Sequence, residues 1–260
     1  VPAPIIQAEN VTKRFGALTA VDDVSYVLHE HEIAGIIGSN GAGKTTFFNL
    51  LTGYHQPDEG SIRYRGEDVT RMTPEQRVDR GMMRTFQLTA TFDNLTVVDN
   101  LVLSFFRAHR KPSLLQLFTN SRKRHRSDPK VLETLASFDL DALRDREVKH
   151  LSLGEKRRLE IAMALLAEPA VLLLDEPLAG LAESEIQALL GVLRRQAGKQ
   201  TILIVEHKIS HVQEFLQRLT VMHEGRVIAD GPCEEALHHP EVRRSYWQID
   251  VSAELVVAGS

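Results

Sequence analysis

The chain lacks cysteine pairs, long apolar runs and any surplus of positive charge. A single cysteine, Cys233, stands among 260 residues. It excludes a disulfide within the chain and fits a reducing compartment. No apolar stretch approaches the roughly 20 residues that a membrane-spanning helix needs, so any membrane role is expected to come through a partner. The N-terminal Val1-Pro2-Ala3-Pro4 shows neither the basic region nor the apolar core of a signal peptide, and none is expected. A formal charge of −4 speaks against a bulk nucleic-acid binder. What is present, 43% apolar and 25% charged residues, is ordinary for a soluble globular protein. The length suits one large domain or two small lobes, and no internal repeat is visible.

One stretch organises the rest: Gly38-Ser39-Asn40-Gly41-Ala42-Gly43-Lys44-Thr45-Thr46. The apolar Ile33–Ile37 before it reads as a buried strand, and Phe47–Leu51 after it reads as the first turns of a helix ending at Gly53. This is the G-x-x-x-x-G-K-[ST] pattern between a strand and a helix. Its glycines let the backbone fold around an anion without Cβ clashes. Successive N–H groups and the helix N-terminus then face phosphate oxygens. Lys44 supplies a point charge for the β- and γ-phosphates, and the Thr45 hydroxyl suits Mg²⁺.

Other segments carry weaker signals. Ile5–Val11 and Val21–Leu28 predict an antiparallel pair around Phe15-Gly16. Phe15 there reads equally as a stacking face for adenine or as a packing residue. Ser61–Arg65 alternates like an edge strand. Thr73-Pro74-Glu75-Gln76 predicts a capped helix start. Met82–Gln87 predicts a strand, on which Gln87 is a weak cue. Between Arg107 and Arg126 lie seven Lys or Arg and no acid, either a solvated insertion or a basic patch for anionic lipid or an acidic partner. Asp128-Pro129 opens another helix.

Leu151-Ser152-Leu153-Gly154-Glu155 precedes a helix running to about Ala167, stopped by Pro169. Ser152 and Gly154 are expected to leave free backbone donors there, an anion site or simply a cap. Val171–Leu174 predicts a buried strand closing on Asp175-Glu176-Pro177. Carboxylates at such a strand end lie where α/β sheets place ligands: Asp175 for Mg²⁺, Glu176 as a general base. Thr201–Val205 is another such strand, closing on Glu206-His207; by itself His207 reads as a surface residue or as a γ-phosphate contact. A helix Ile209–Gln217, strands Leu219–His223 and Arg226–Ile228, and a short helix Glu234–His238 follow.

The alternation indicates an α/β fold: a P-loop NTPase core with a mostly parallel sheet, an antiparallel β edge subdomain and an inserted helical subdomain. The expected division assigns 1–91 and 170–240 to the nucleotide core, 92–169 to the helical part and 241–260 to an extension containing Tyr246-Trp247.

The motifs together resemble the ATP-binding subunits of ABC transporters over almost the whole chain. Leu151–Glu155, followed by Lys156–Ala162, is similar to that family's LSGGQ signature, departing from it at Leu153 and Glu155. The resemblance implies roles: Phe15 stacks adenine, Gln87 touches Mg²⁺ and water and relays to a membrane subunit, Asp175 binds metal, Glu176 is the catalytic base and His207 the switch histidine. It also implies ATP and Mg²⁺, with residues 38–46 on the phosphates. Two chains would stack head to tail, so that Ser152, Gly154 and Glu155 of one face the nucleotide of the other. Integral permease subunits and, indirectly, an external solute-binding protein are the implied partners, at the cytoplasmic face of the membrane. The loop Ala179-Gly180-Leu181-Ala182 replaces the family's Ser-Ala-Leu-Asp. Loss of that carboxylate bears on communication between sites, not on hydrolysis, because Glu176 is present. This loop, Arg84-Thr85-Phe86-Gln87, the insertion around Phe118–Asp128 and Val205-Glu206-His207 resemble the branched-chain amino acid importers. Urea or short-amide importers and lipid exporters share the same motifs.

Overall fold

Two sheets order the chain in the computed structural model, which describes residues 2–85, 91–109, 125–207 and 212–245. The hairpin β1 (Pro4–Phe15) and β2 (Leu18–His29) joins β4 (Glu59–Tyr64) and the short β5 (Glu67–Asp68) in an antiparallel sheet of order β2-β1-β4-β5. The larger sheet has order β10-β9-β3-β8-β7-β6 among the described residues. It is built from β3 (Ile33–Gly38), β6 (Met82–Arg84), β7 (Val171–Asp175), β8 (Ile202–Val205), β9 (Arg218–His223) and β10 (Arg226–Pro232). Its inner pairs are parallel, and only the hairpin β9–β10 is antiparallel. Every residue of β3, β7 and β8 is buried. Covering both faces explains why these strands are continuously apolar rather than alternating.

Residues one apart in these strands enter different cores. Ile37, Leu172, Leu174, Ile202 and Ile204 face a cluster shared with α3 (Val97–His109), α4 (Pro129–Ser137), α5 (Leu153–Leu166) and α6 (Glu183–Arg194). Ile36, Leu173, Leu203 and Val205 face the other cluster, with α1 (Lys44–Thr52) and the small sheet. Between β6 and β7 the described residues form helices and 3₁₀ turns, with one isolated bridge, Thr96–Glu147. The chain closes with α7 (Cys233–His238) and α8 (Pro240–Ser245). No helix of the described residues is long and apolar enough to cross a membrane.

Local punctuation falls where the sequence predicts it. Gly53 takes a left-handed conformation (φ 83°) at the end of α1. Thr73 and Gln76 form a reciprocal capping box at α2 (Pro74–Asp79). One expectation needs correction. The strand placed at Ser61–Arg65 runs Glu59–Tyr64 and is interior to the small sheet, flanked by β1 and β5. Arg65 instead turns the chain, with φ 51°. The expectations for Gln87, for most of the basic segment, for the start of the helix at Ile209 and for Tyr246-Trp247 lie outside the described residues. At the end of that segment Arg126 pairs with Asp99 (2.6 Å) and Asp145 (3.3 Å).

Candidate active site

The ends of β3, β7 and β8 lie side by side. Ile36 pairs with Val205, and Asp175 pairs with the same Val205. The turn after β3 is held close to neighbouring backbone. A Cβ on Gly38 would come 2.3 Å from the carbonyl oxygen of Met222, and one on Gly43 would come 2.3 Å from that of Ala20. Gly41 and Gly43 adopt φ of 82° and 94°, a region that favours glycine. Gly43 is the N-cap of α1, with no side-chain cap and no acid in the first turn. Ser39, Asn40, Gly41 and Thr45 are exposed, Thr46 half-buried and Ala42 buried. An uncapped helix start of this kind presents N–H donors and a positive dipole end to an anion.

Lys44 lies within the loop, its Nζ donating to the carbonyl oxygens of Gly38 (2.8 Å) and Ser39 (3.0 Å). Burial lowers its pKa, while the charges of Glu176 and Glu206 act in the opposite sense. The charge of Lys44 therefore sits between the phosphate loop and the ends of β7 and β8.

Asp175 closes β7 and is 1% exposed. Its Oδ2 accepts from the Arg84 guanidinium at 2.6 Å, and its Oδ1 has no partner. A buried carboxylate oxygen without a donor is rare, and it suits a hard cation or its water. Glu176 follows with a left-handed backbone, φ 45°, and its N–H bonds to the Val205 carbonyl oxygen at 2.9 Å. Its carboxylate reaches His207 Nε2 at 2.6 Å. The structure thus unites Glu176 with His207, two residues predicted from separate strands.

Glu206, between Val205 and His207, is buried and was not singled out by its sequence setting. Its Oε1 accepts the N–H of Leu178 at 2.9 Å, and its Oε2 that of His207 at 3.3 Å. Burial pushes its pKa up to about 7, opposed by those two N–H groups, raised further by Glu176 and lowered by Arg157. A carboxylate directly after a wholly buried strand is the one sequence signal that would have drawn attention to it.

Ser152 is the N-cap of α5, and Ser152 and Leu153 lie on the surface. The expectation of free donors there is overturned. Glu185 of α6 takes the Ser152 hydroxyl (2.6 Å) and the Gly154 N–H (3.0 Å) on Oε1, and the Ala182 N–H (3.1 Å) on Oε2. These donors hold its pKa below the usual range, the Ser152 hydroxyl first, then the Ala182 and Gly154 N–H groups. Gly154 lies beneath it: a Cβ there would meet that of Glu185 at 2.7 Å. The Glu155 carboxylate is engaged in the cap, accepting the Ser152 N–H at 2.8 Å. A recess of about 220 Å³ opens here, lined by Ser152, Gly154, Arg158 and Glu185 among others.

Phe15 is 45% exposed at the tip of the β1–β2 hairpin. Its ring meets the His55 ring edge-on at 5.4 Å and has Lys13 Nζ 5.6 Å from its centroid. The ring thus packs on one side and faces solvent on another. The same hairpin reaches the phosphate loop through the Ala20–Gly43 approach.

Comparison with known proteins agrees with this arrangement. The family model described as ABC transporter matches residues 21–179. The high-affinity branched-chain amino acid transport ATP-binding protein BraF of Pseudomonas aeruginosa is 36% identical, the match covering 94% of this chain and 97% of that protein. The lipopolysaccharide export system ATP-binding protein LptB of Haemophilus influenzae is 33% identical, over 93% of this chain and 96% of its own length. The crystal structure of the ADP conformation of MJ1267, an ATP-binding cassette of an ABC transporter, superposes with a TM-score of 0.77 at 30% identity. It covers 95% of this chain and all of that one (100%).

Proposed function

The chain belongs to the ABC transporter family as an ATP-binding ATPase subunit, and from that premise we propose that it powers an importer of branched-chain or other hydrophobic amino acids. The observation that carries the ATPase reading is the meeting, at adjacent strand ends, of an uncapped glycine loop, the partnerless Asp175 Oδ1 and the Glu176–His207 pair. An anion-binding loop beside an acid for metal and an acid for water is what phosphoryl transfer to water needs.

Residues 38–46 hold the triphosphate through backbone N–H groups, with Lys44 on the β- and γ-phosphates and Phe15 against the base. Thr45, Asp175 and Gln87 are the proposed holders of Mg²⁺, which when bound neutralises charge on the phosphates. Glu176 orients a water and draws its proton as the water attacks the γ-phosphorus from the side opposite the leaving oxygen. His207, paired with Glu176, and Lys44 stabilise the charge developing on the transferred group. A second copy, or a related ATPase, supplies Ser152 and Gly154 across the interface. That requires Glu185 to release both donors, so closure exchanges an internal carboxylate for a γ-phosphate. Residues 92–169 are the proposed helical part, and Gln87 the link to membrane permeases at the cytoplasmic face.

The likeness to LptB favours a second reading, a lipid-exporting ATPase. Reconstitution of the chain with its cognate permease in vesicles decides between them. ATP-dependent uptake of labelled leucine supports the importer. ATP-driven lipid extraction with no amino-acid uptake replaces it with the exporter, and absence of ATP hydrolysis rejects both.

A further inference from the structure

The Asp175 carboxylate owes its orientation to one side chain. Register places Arg84 of β6 opposite Leu173, close to the end of β7. The guanidinium donates to Asp175 Oδ2 at 2.6 Å, and its other arm reaches Asn49 Oδ1 at 2.6 Å and Thr52 Oγ1 at 3.3 Å. Its central carbon lies 4.7 Å from the Phe48 ring centroid and 5.0 Å from that of Tyr54. Hydrogen bonds and aromatic rings together immobilise the planar fork, as arginine allows and lysine does not.

Asn49 and Thr52 belong to α1, whose first turn carries Thr45. Asp175, another of the proposed ligands, is on β7. Arg84 therefore ties together the elements that carry Thr45 and Asp175. It engages only one carboxylate oxygen and leaves the other, Oδ1, without a donor.

We propose that Arg84 is a positioning residue for a divalent cation: a strut that fixes Asp175 against the helix of Thr45 and reserves Oδ1 for the metal. The inference rests on the nucleotide-site reading above and adds to it a residue that touches neither nucleotide nor cation. The strand bearing Arg84 also leads, within three residues, to Gln87.

The test uses Mn²⁺ as the probe and the full chain saturated with ADP, reading free Mn²⁺ by electron paramagnetic resonance. Arg84→Met is expected to weaken Mn²⁺ binding about 10–100-fold, the usual cost of losing a partner that orients a metal ligand. Binding of fluorescent ADP in chelator is expected to stay unchanged. Arg84→Lys, which keeps the charge but cannot fork to Asn49, is expected to recover part of the loss. Mn²⁺ binding within about twofold of wild type in folded Arg84→Met overturns the proposal. If that variant does not fold, wild-type affinity in Arg84→Lys overturns it instead. Failure of the wild-type chain to bind ADP rejects the nucleotide-site reading itself, a separate outcome.

Discussion

The Glu185 carboxylate stands over the backbone N–H of Gly154, 3.0 Å away, and takes the Ser152 hydroxyl on the same oxygen at 2.6 Å. These are the donors that a facing copy's nucleotide would need. Hydrogen bonds to a charged acceptor contribute about 1.5–3 kcal/mol each, so in the proposed dimer the internal carboxylate would compete with the γ-phosphate. Glu185→Ala, made in a Glu176→Gln background, is expected to form the ATP-bound dimer at several-fold lower nucleotide concentration. Glu185→Gln, which keeps an acceptor without the charge, should fall between. Sedimentation at graded ATP reads the outcome; equal midpoints in all three would mean that Glu185 is only a cap.

Glu176→Gln is expected to bind ATP with near wild-type affinity and to lose at least about 10²-fold in turnover, the usual scale for removing a general base. Phosphate release measured beside ATP binding separates the two effects. Near-normal turnover would remove Glu176 from the role of base.

Glu206 carries a pH dependence whose sign is fixed by its raised pKa. An unfolded glutamate ionises near 4.5, while burial holds the folded group protonated up to about 7. Between these values the unfolded state has released a proton that the folded state keeps, so stability falls as pH rises through this window and then levels. The descent amounts to roughly 3 kcal/mol. Glu206→Gln should flatten it, as urea midpoints measured from pH 5 to 8 would reveal. A variant that retains the full wild-type slope would assign the slope to other groups.

Arg77 gives a prediction on stability alone. Its buried guanidinium donates to the carbonyl oxygens of Leu50, Leu51 and Val69, and burial lowers its pKa to about 10. It thereby caps the C-terminal turn of α1. Arg77→Met takes this donor from all three, leaving Leu50 and Val69 with only the N–H groups of Gly53 and Met72, and should cost about 2–4 kcal/mol, read as a lower urea midpoint with an unchanged slope. A loss under about 1 kcal/mol would show that water or relaxation replaces the guanidinium.

What the sequence makes legible here is local. The glycine loop, the Thr73–Gln76 box and the Gly53 stop are set by residues a few positions apart, and the structure forms each of them. The fold class follows from wholly apolar strands alternating with helices. Arg84, Glu185 and Glu206 were not legible as parts of the site because their partners are remote. Arg84 and Asp175 are 91 positions apart, Gly154 and Glu185 31, and Leu178 and Glu206 28. Composition and periodicity carry no trace of such pairings. For the same reason the helix start at Ser152 read as open, since the acid that fills it arrives on a later element.

The left-handed turn at Glu176 sets chemistry against comfort at a single residue. Glycine and asparagine rest easily at φ 45°, and a glutamate there bears a penalty of about 1–2 kcal/mol. Neither of the relaxed choices can accept a proton from water. Glycine or asparagine at this position is thus expected to give a better-folded and chemically silent variant. Such a variant would still clasp nucleotide, and it would accumulate as a sound but idle motor that a screen for stability would reward.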